Sequence, residues 1–264
     1  MYKLRLKPTR KIFLPVCIFL FLASVSRGQN IKDSSLFFPL VKFSYAFQLP
    51  AGDLANRFGF NSNLCLDFSI KTKKNLIVGM NGSFFFGDQI KERGILDTIK
   101  TSTDDGAHTG FVINQNGNPE VVRLFERGLT VSLHIGKIFP IFSPNKNSGL
   151  VFYAGPTYIR HKIKLYDVDK QAQQLTKDYL KGYDRLTSGF GLHEFIGYIY
   201  FGNKRMLNFF WGFEFMQTFT KSQRSYDYDL MRADTQKRTD LLNGIRIGWI
   251  LPLYRKTPQE FYYH

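Results

Sequence analysis

The 264-residue sequence has little from which a small secreted scaffold or a helical membrane protein could be built. It holds two cysteines, Cys17 and Cys65. With the first inside a removed leader, no intramolecular disulfide is available, which excludes a disulfide-stapled domain. Beyond residue 30 no stretch approaches the ~18 continuous apolar residues of a spanning helix, so a bundle of membrane helices is excluded too. The five histidines (His108, His134, His161, His193 and His264) are not spaced with another His, Cys or Asp in a metal-binding pattern. Gly189-Phe190-Gly191 lacks the third glycine and the helix context of a nucleotide loop. No metal or other cofactor is expected. Internal repeats, low-complexity segments and a linker to a second domain are also missing.

What is present begins with a leader. Lys3, Arg5, Lys7, Arg10 and Lys11 precede a mostly apolar run from Ile12 to Val25, and Ser26 and Gly28 are small residues placed for cleavage before Gln29. This is the pattern of a secretory signal over residues 1–28. The apolar run is short for an uncleaved anchor. Cys17 lies inside it, with five large apolar residues following, so a lipid anchor there is not expected. The leader also carries six of the 36 basic residues and no acidic one, which lowers the net charge from +15 to +9. The remaining cations are dispersed among Phe and Tyr instead of being gathered on one helical face. In an exported chain they suit anionic lipid headgroups better than nucleic acid.

Aromatics make up 16% of the chain, with 27 Phe, and their spacing is informative. In residues 124–137, Leu129, Val131, Leu133 and Ile135 alternate with Gly128, Thr130, Ser132, His134 and Gly136. A period of two is a strand with one apolar face. Similar alternation marks strands near 40–49, 61–70, 76–86, 207–216 and 244–254. Two more, 149–162 and 186–201, carry apolar residues on both faces. Glu194 falls on the apolar face of the second, which a bulge or a shifted register could correct. Eight strands of about ten residues or more are long enough to cross a bilayer at a tilt. Their connections alternate in length. Those near 50–57, 87–122, 167–184 and 222–238 are the longer set, and those near 72–75, 143–148 and 202–205 the shorter. Outer-membrane barrels sort short periplasmic turns from longer outer loops in this way, and an even strand count puts both termini in the periplasm. A soluble sandwich also alternates but gives no reason for that sorting. The expected fold is therefore all-β: an eight-stranded antiparallel transmembrane β-barrel, an up-and-down meander over 29–254 with a periplasmic tail over 255–264. Tyr45, Tyr158, Tyr198, Tyr200, Trp211, Trp249 and Tyr254 are candidates for aromatic girdles.

The signal, the eight alternating strands, the long outer loops and a final strand from Gly244 to Tyr254 together resemble the small OmpA/OmpX-like outer-membrane β-barrel family, over about residues 36–254. The family ends its chains with an aromatic residue on the last strand, whereas a tail follows here. The resemblance implies a bacterial outer-membrane location. It leaves the role open among structural tethers, adhesins, lipid-modifying enzymes and subunits of envelope machines.

An eight-stranded barrel has an interior just wide enough for side chains to fill. Lys42, Asp67, His134, Glu214 and Arg246 are the inward candidates, and buried charges must be paired. A structural polar network is expected there in preference to an ion path. Catalysis by Ser132, His134 and Glu214 would place the nucleophile in the lumen, away from lipid substrate, so no catalytic residue is assigned. Asn81-Gly82-Ser83 on a strand is a chance glycosylation triplet. The 87–122 segment, with Asp97, Asp104, Asp105, Asn114, Asn116 and Asn118, lacks the spacing of a calcium loop. Residues 166–184 suggest a short helix, and the Ser225–Asp229 tyrosines suggest a contact surface. Phe261, Tyr262 and Tyr263, before His264, are the candidate partner-binding residues of the tail. The expected function is non-enzymatic: a structural or partner-binding subunit of a larger envelope assembly for secretion or outer-membrane protein insertion. Its partners would be outer-membrane lipid and other envelope proteins. The alternatives are a surface adhesin or ligand binder acting through the long loops, and a lipid-active enzyme.

Overall fold

A computed structural model describes residues 34–103, 109–167, 171–176, 179–202 and 207–253. The leader and the tail with Phe261, Tyr262 and Tyr263 lie outside the described residues, as do Tyr254, Asp104, Asp105 and His108. Ten strands follow in order: β1 (Phe38–Gly52), β2 (Asn61–Lys71), β3 (Leu76–Gly87), β4 (Lys100–Thr103), β5 (Thr109–Ile113), β6 (Pro119–Phe139), β7 (Gly149–Asp167), β8 (Thr187–Phe201), β9 (Asn208–Ser222) and β10 (Lys237–Pro252). Eight of them close into a barrel, because β1 pairs with β10 and β3 pairs with β6, all antiparallel. The hairpin β4–β5 extends the sheet beyond β6.

The register fixes the barrel's shape. Phe43 faces Leu66, and the row continues through Gly82, Val131, Tyr158, Phe190, Phe219 and Thr239. The Thr239 carbonyl accepts a hydrogen bond from the backbone N–H of Asp53 at 3.0 Å. One circuit therefore climbs from Phe43 to Asp53. For eight strands that stagger tilts them by about 40° and gives an axial rise of about 2.5 Å per residue.

Alternate residues point out, and across the middle of the barrel nearly all are apolar and exposed. Phe43, Tyr45, Phe47 and Leu49 do so on β1, Leu129, Val131, Leu133 and Ile135 on β6, and Phe209, Trp211, Phe213 and Phe215 on β9. A continuous apolar band around a closed barrel is incompatible with water on that face and suits a bilayer. At one end the strands join by short turns. Asn75 takes φ 60° in the Thr72–Asn75 turn, a left-handed conformation that asparagine tolerates better than most residues.

Three expectations need correction. β6 and β7 are longer than 124–137 and 149–162, since the ladder continues past the apolar band, where outward residues turn polar and the alternation signal fades. The 87–122 segment is not a plain connection, because it contains the β4–β5 hairpin and the start of β6. The last strand begins at Lys237, not near 244. The 166–184 segment holds two single turns of 3-10 helix, Gln173–Leu175 and Tyr179–Gly182. The β8 pairings run without a break on both sides, so Glu194 stays on the outward face with no bulge.

Candidate functional site

The barrel interior is stacked in three tiers. Along β1, Leu40 belongs to an apolar floor, Lys42, Ser44 and Gln48 form a polar tier, and Leu54 just beyond the strand belongs to an apolar cap. On β9, Phe210, Glu214 and Met216 repeat the order, and on β10 Ile250, Arg246 and Leu242 do so again. The strands therefore place the Lys42–Asp67 and Arg246–Glu214 pairs between two hydrophobic clusters, with further buried charges such as Lys71 and Asp240 nearer the two ends.

Within the polar tier the five inward candidates fall into two groups. Lys42 faces Asp67 across the β1–β2 ladder, and its ammonium lies 3.1 Å from that carboxylate. It also sits over the Tyr153 ring at 5.1 Å. His134 Nε2 is 3.6 Å from Asp67 and 3.2 Å from Ser69 Oγ, and its ring packs on Tyr153. The Ser69 hydroxyl donates to Asp67. In the second group Arg246 donates from Nε and approaches from its second terminal nitrogen to the same oxygen of Glu214, both at 2.7 Å. The guanidinium also donates to Ser44 Oγ at 2.9 Å and Asn63 Oδ1 at 3.1 Å, while Gln48 donates to the other Glu214 oxygen at 2.8 Å. The groups that Ser132, His134 and Glu214 would need for catalysis are not assembled. Ser132 instead hydrogen-bonds Thr157 at 2.7 Å.

Further inward polar residues extend the network. His161 Nε2 lies 3.0 Å from Asp240, which also accepts from Thr220 at 2.6 Å. Asn61 donates to Glu126 at 3.0 Å. Lys71, at the short-turn end, donates to Asn147 Oδ1 at 2.8 Å, and Asn147 anchors Leu36 and Ser34. Glu126 shares its strand parity with His134, so the alternation that found His134 contained the signal for it.

The long-loop end is closed by a charged knot that draws on four connections. Buried Arg185 contacts Glu92 at 2.9 Å, Asp227 at 2.7 Å and Asp229 at 2.5 Å. Arg57 contacts Glu92 at 2.8 Å and donates to Thr187 and to the Arg185 carbonyl. Burial pushes the Asp227 and Asp229 carboxyls up, with Arg185 pulling them back. The carboxylates around Arg185 hold its guanidinium above its usual value although burial opposes this. The Ser225–Asp229 segment is thus largely turned inward: its aspartates bind Arg185, and Tyr228 packs against Tyr179 and Tyr183. Only Tyr226 of its tyrosines is well exposed. No signal in the local sequence pairs Arg185 with residues more than forty positions away.

No family model and no curated protein matches the chain. Among solved structures it is similar to Ail, the attachment invasion locus protein of Yersinia pestis, in complex with the heparin analogue sucrose octasulfate. The identity is 12% and the TM-score 0.36, over 81% of this chain and 98% of that one. It is also similar to the outer membrane protein OprG from Pseudomonas aeruginosa, at 11% identity and TM-score 0.39, over 84% of this chain and 99% of that one. At these values the likeness does not bear on what this chain binds. Among the described residues no group of three or more His, Cys, Asp or Glu side chains could hold a metal ion. Cys65 is a free, half-buried thiol.

Proposed function

We propose that this chain is a non-enzymatic outer-membrane barrel that works by binding another envelope protein, as a small subunit of a larger assembly. One observation carries the reading. The lumen is packed from floor to cap, with its ion pairs sealed between two apolar clusters, so that the surfaces left for function are the outer wall, the rims and the chain ends. In this reading the short turns and both termini face the periplasm, the long-loop cap faces outward, and Phe261–Tyr263 form a contact for the partner.

The test is extraction from the native outer membrane in mild detergent through a tag inserted at Gly117. That glycine lies in an exposed turn, and an added side chain there would meet nothing within 4 Å. A stoichiometric set of envelope proteins, released when Phe261–His264 is deleted, is the expected result. Recovery of the barrel alone overturns the reading. That outcome favours a second one, in which the cap binds a ligand outside the cell. The β4–β5 hairpin and the overhanging ends of β6 and β7 form a sheet beyond the apolar band, which supports this second reading. Removal of the hairpin would then abolish surface binding.

A further inference from the structure

The outer wall carries an apolar hollow and, directly above it toward the long-loop end, a cationic one. The lower hollow, about 580 Å³, opens over Gly82 between Phe43, Leu64, Leu66 and Val131. Gly82 is an outward position without a side chain, and a Cβ built there would approach only the Thr130 carbonyl, at 4.0 Å. The upper hollow, about 280 Å³, is edged by Arg127, Arg160, Lys162 and Arg224. Phe84 and Leu129 line both. The cations are asymmetrically placed. At the corresponding level β1, β2 and β10 present Leu49, Ser62 and Leu241 outward. Asp184 engages Arg224 and lies 3.7 Å from Lys162. Arg127 donates only to backbone carbonyls, and Arg160 has no ion pair among the described residues.

We propose that these two hollows form one binding site for a phosphate-bearing acylated lipid, its headgroup held by Arg127, Arg160 and Lys162 and one acyl chain laid over Gly82. The chemistry is that of guanidinium forks on phosphate, placed where the apolar wall ends. The full-length protein in detergent, titrated with phosphatidylglycerol and read by native mass spectrometry, should retain the lipid. Diacylglycerol with the same chains should not be retained, and inorganic phosphate should not displace the phospholipid. Gly82→Leu fills the lower hollow without a backbone clash, and Arg160→Gln with Lys162→Gln empties the upper. Each should lower retention about tenfold or more. Unchanged retention in Gly82→Leu overturns the lipid site. Displacement by inorganic phosphate alone also overturns it, since that result describes an anion site without a chain.

A second, independent observation concerns Glu194. On β8 the outward residues run Phe190, Leu192, Glu194, Ile196, Tyr198 and Tyr200. At about 2.5 Å of axial rise per residue, Glu194 lies about 10 Å below Phe190 and about 15 Å above Tyr200, near the middle of the apolar band. Its neighbours across the ladders are Ala154 and Phe215, and it makes no hydrogen bond or ion pair among the described residues. The adjacent outward positions on β7 are the small Ala154 and Pro156, and Glu194 itself is half-buried on the outward face. A carboxylate facing hydrocarbon is unfavourable, and such residues commonly face a partner or a water-filled cavity.

We infer that the β7–β8 wall docks a second membrane-spanning protein which presents a Lys or Arg to Glu194 at mid-depth. This rests on the assembly-subunit reading above and names where the partner sits. A second copy of this chain fits less well, because its matching wall would bring another carboxylate. The test uses the full chain in its native membrane, with a photoreactive residue at Ile196 or, on β2 at the opposite side of the barrel, at Phe68. The expected adduct forms from Ile196 and not from Phe68, maps to a spanning segment containing a Lys or Arg, and falls about tenfold in Glu194→Leu. The isolated Glu194→Leu barrel should resist denaturant at least as well as the original, which a structural role for the carboxylate would not allow. Equal adducts from both positions, or adducts indifferent to Glu194→Leu, overturn the docking wall. If stoichiometric partners are still extracted in that case, the subunit reading stands, whereas a lone barrel removes both.

Discussion

Replacing Glu214 with Leu should destabilise the barrel by about 4 kcal/mol, because it leaves a buried cation without its counter-charge. Arg246 and Glu214 are both almost fully inaccessible to solvent. The substitution removes both 2.7 Å contacts between them and deprives Gln48 of its carboxylate acceptor. Hydrogen bonds to charged groups are worth ~1.5–3 kcal/mol each, and breaking one side of a buried pair costs ~3–5 kcal/mol. Ser44 and Asn63 remain as neutral acceptors at 2.9 and 3.1 Å and limit the loss. The reciprocal Arg246→Leu should cost a similar amount. The double variant should cost far less than the sum of the two, since a buried pair replaced by apolar residues is often close to neutral. The assay is denaturant unfolding from lipid vesicles, followed by tryptophan fluorescence. The chain has two tryptophans, Trp211 and Trp249, and both lie on the outward band, so emission reports loss of the membrane-inserted state. A single-variant cost below about 1 kcal/mol, or strict additivity in the double variant, would refute the idea that the polar tier is held by mutual compensation.

Further outcomes follow from the cap and the wall. Arg185→Met strands Asp227 and Asp229 and leaves Glu92 to Arg57 alone, so the 223–236 loop should be cleaved faster in limited proteolysis while the barrel itself keeps its folded mobility in detergent gels. Burial raises the Asp227 and Asp229 carboxyls, so the folded cap takes up protons before the unfolded loop does. These two groups then favour folding as pH falls toward their folded values, and cleavage of that loop should not accelerate between pH 7 and about 5; a faster rate at the lower pH would contradict the assignment. Gly128 faces Phe85 across the β3–β6 ladder, and a Cβ there would fall 2.1 Å from the ring. Gly128→Val should therefore cost about 1–3 kcal/mol in the same unfolding assay, and a neutral result would mean that the ring has room to move.

The sequence by itself determined which residues face lipid on most strands, because side-chain direction in a strand alternates with a period of two that depends on nothing distant. Val131, Leu133 and Ile135 are legible as outward, and His134 as inward, from their order alone. Alternation put Glu194 on the apolar face but left a bulge or shifted register open, and only the unbroken β8 pairings place it outward. The count of eight barrel strands and the sorting of connections by length are also local properties, whereas the β4–β5 hairpin within 87–122 was not legible. The ends of β6 and β7 were not legible, because beyond the apolar band the outward face becomes polar while the ladder continues.

Only the tertiary structure decided who pairs with whom. Lys42 meets Asp67 because the β1–β2 register sets them opposite, and Arg246 reaches Glu214 on a diagonal between β10 and β9. The stagger accumulated around the closed circuit then sets which outward residues share a depth. It brings Arg160 above Gly82 and leaves Glu194 near the middle of the band. The knot around Arg185 joins four connections far apart in the chain, and no local pattern encodes such a meeting. Alternation is a property of each strand alone, whereas register, stagger and loop closure are properties of the ring.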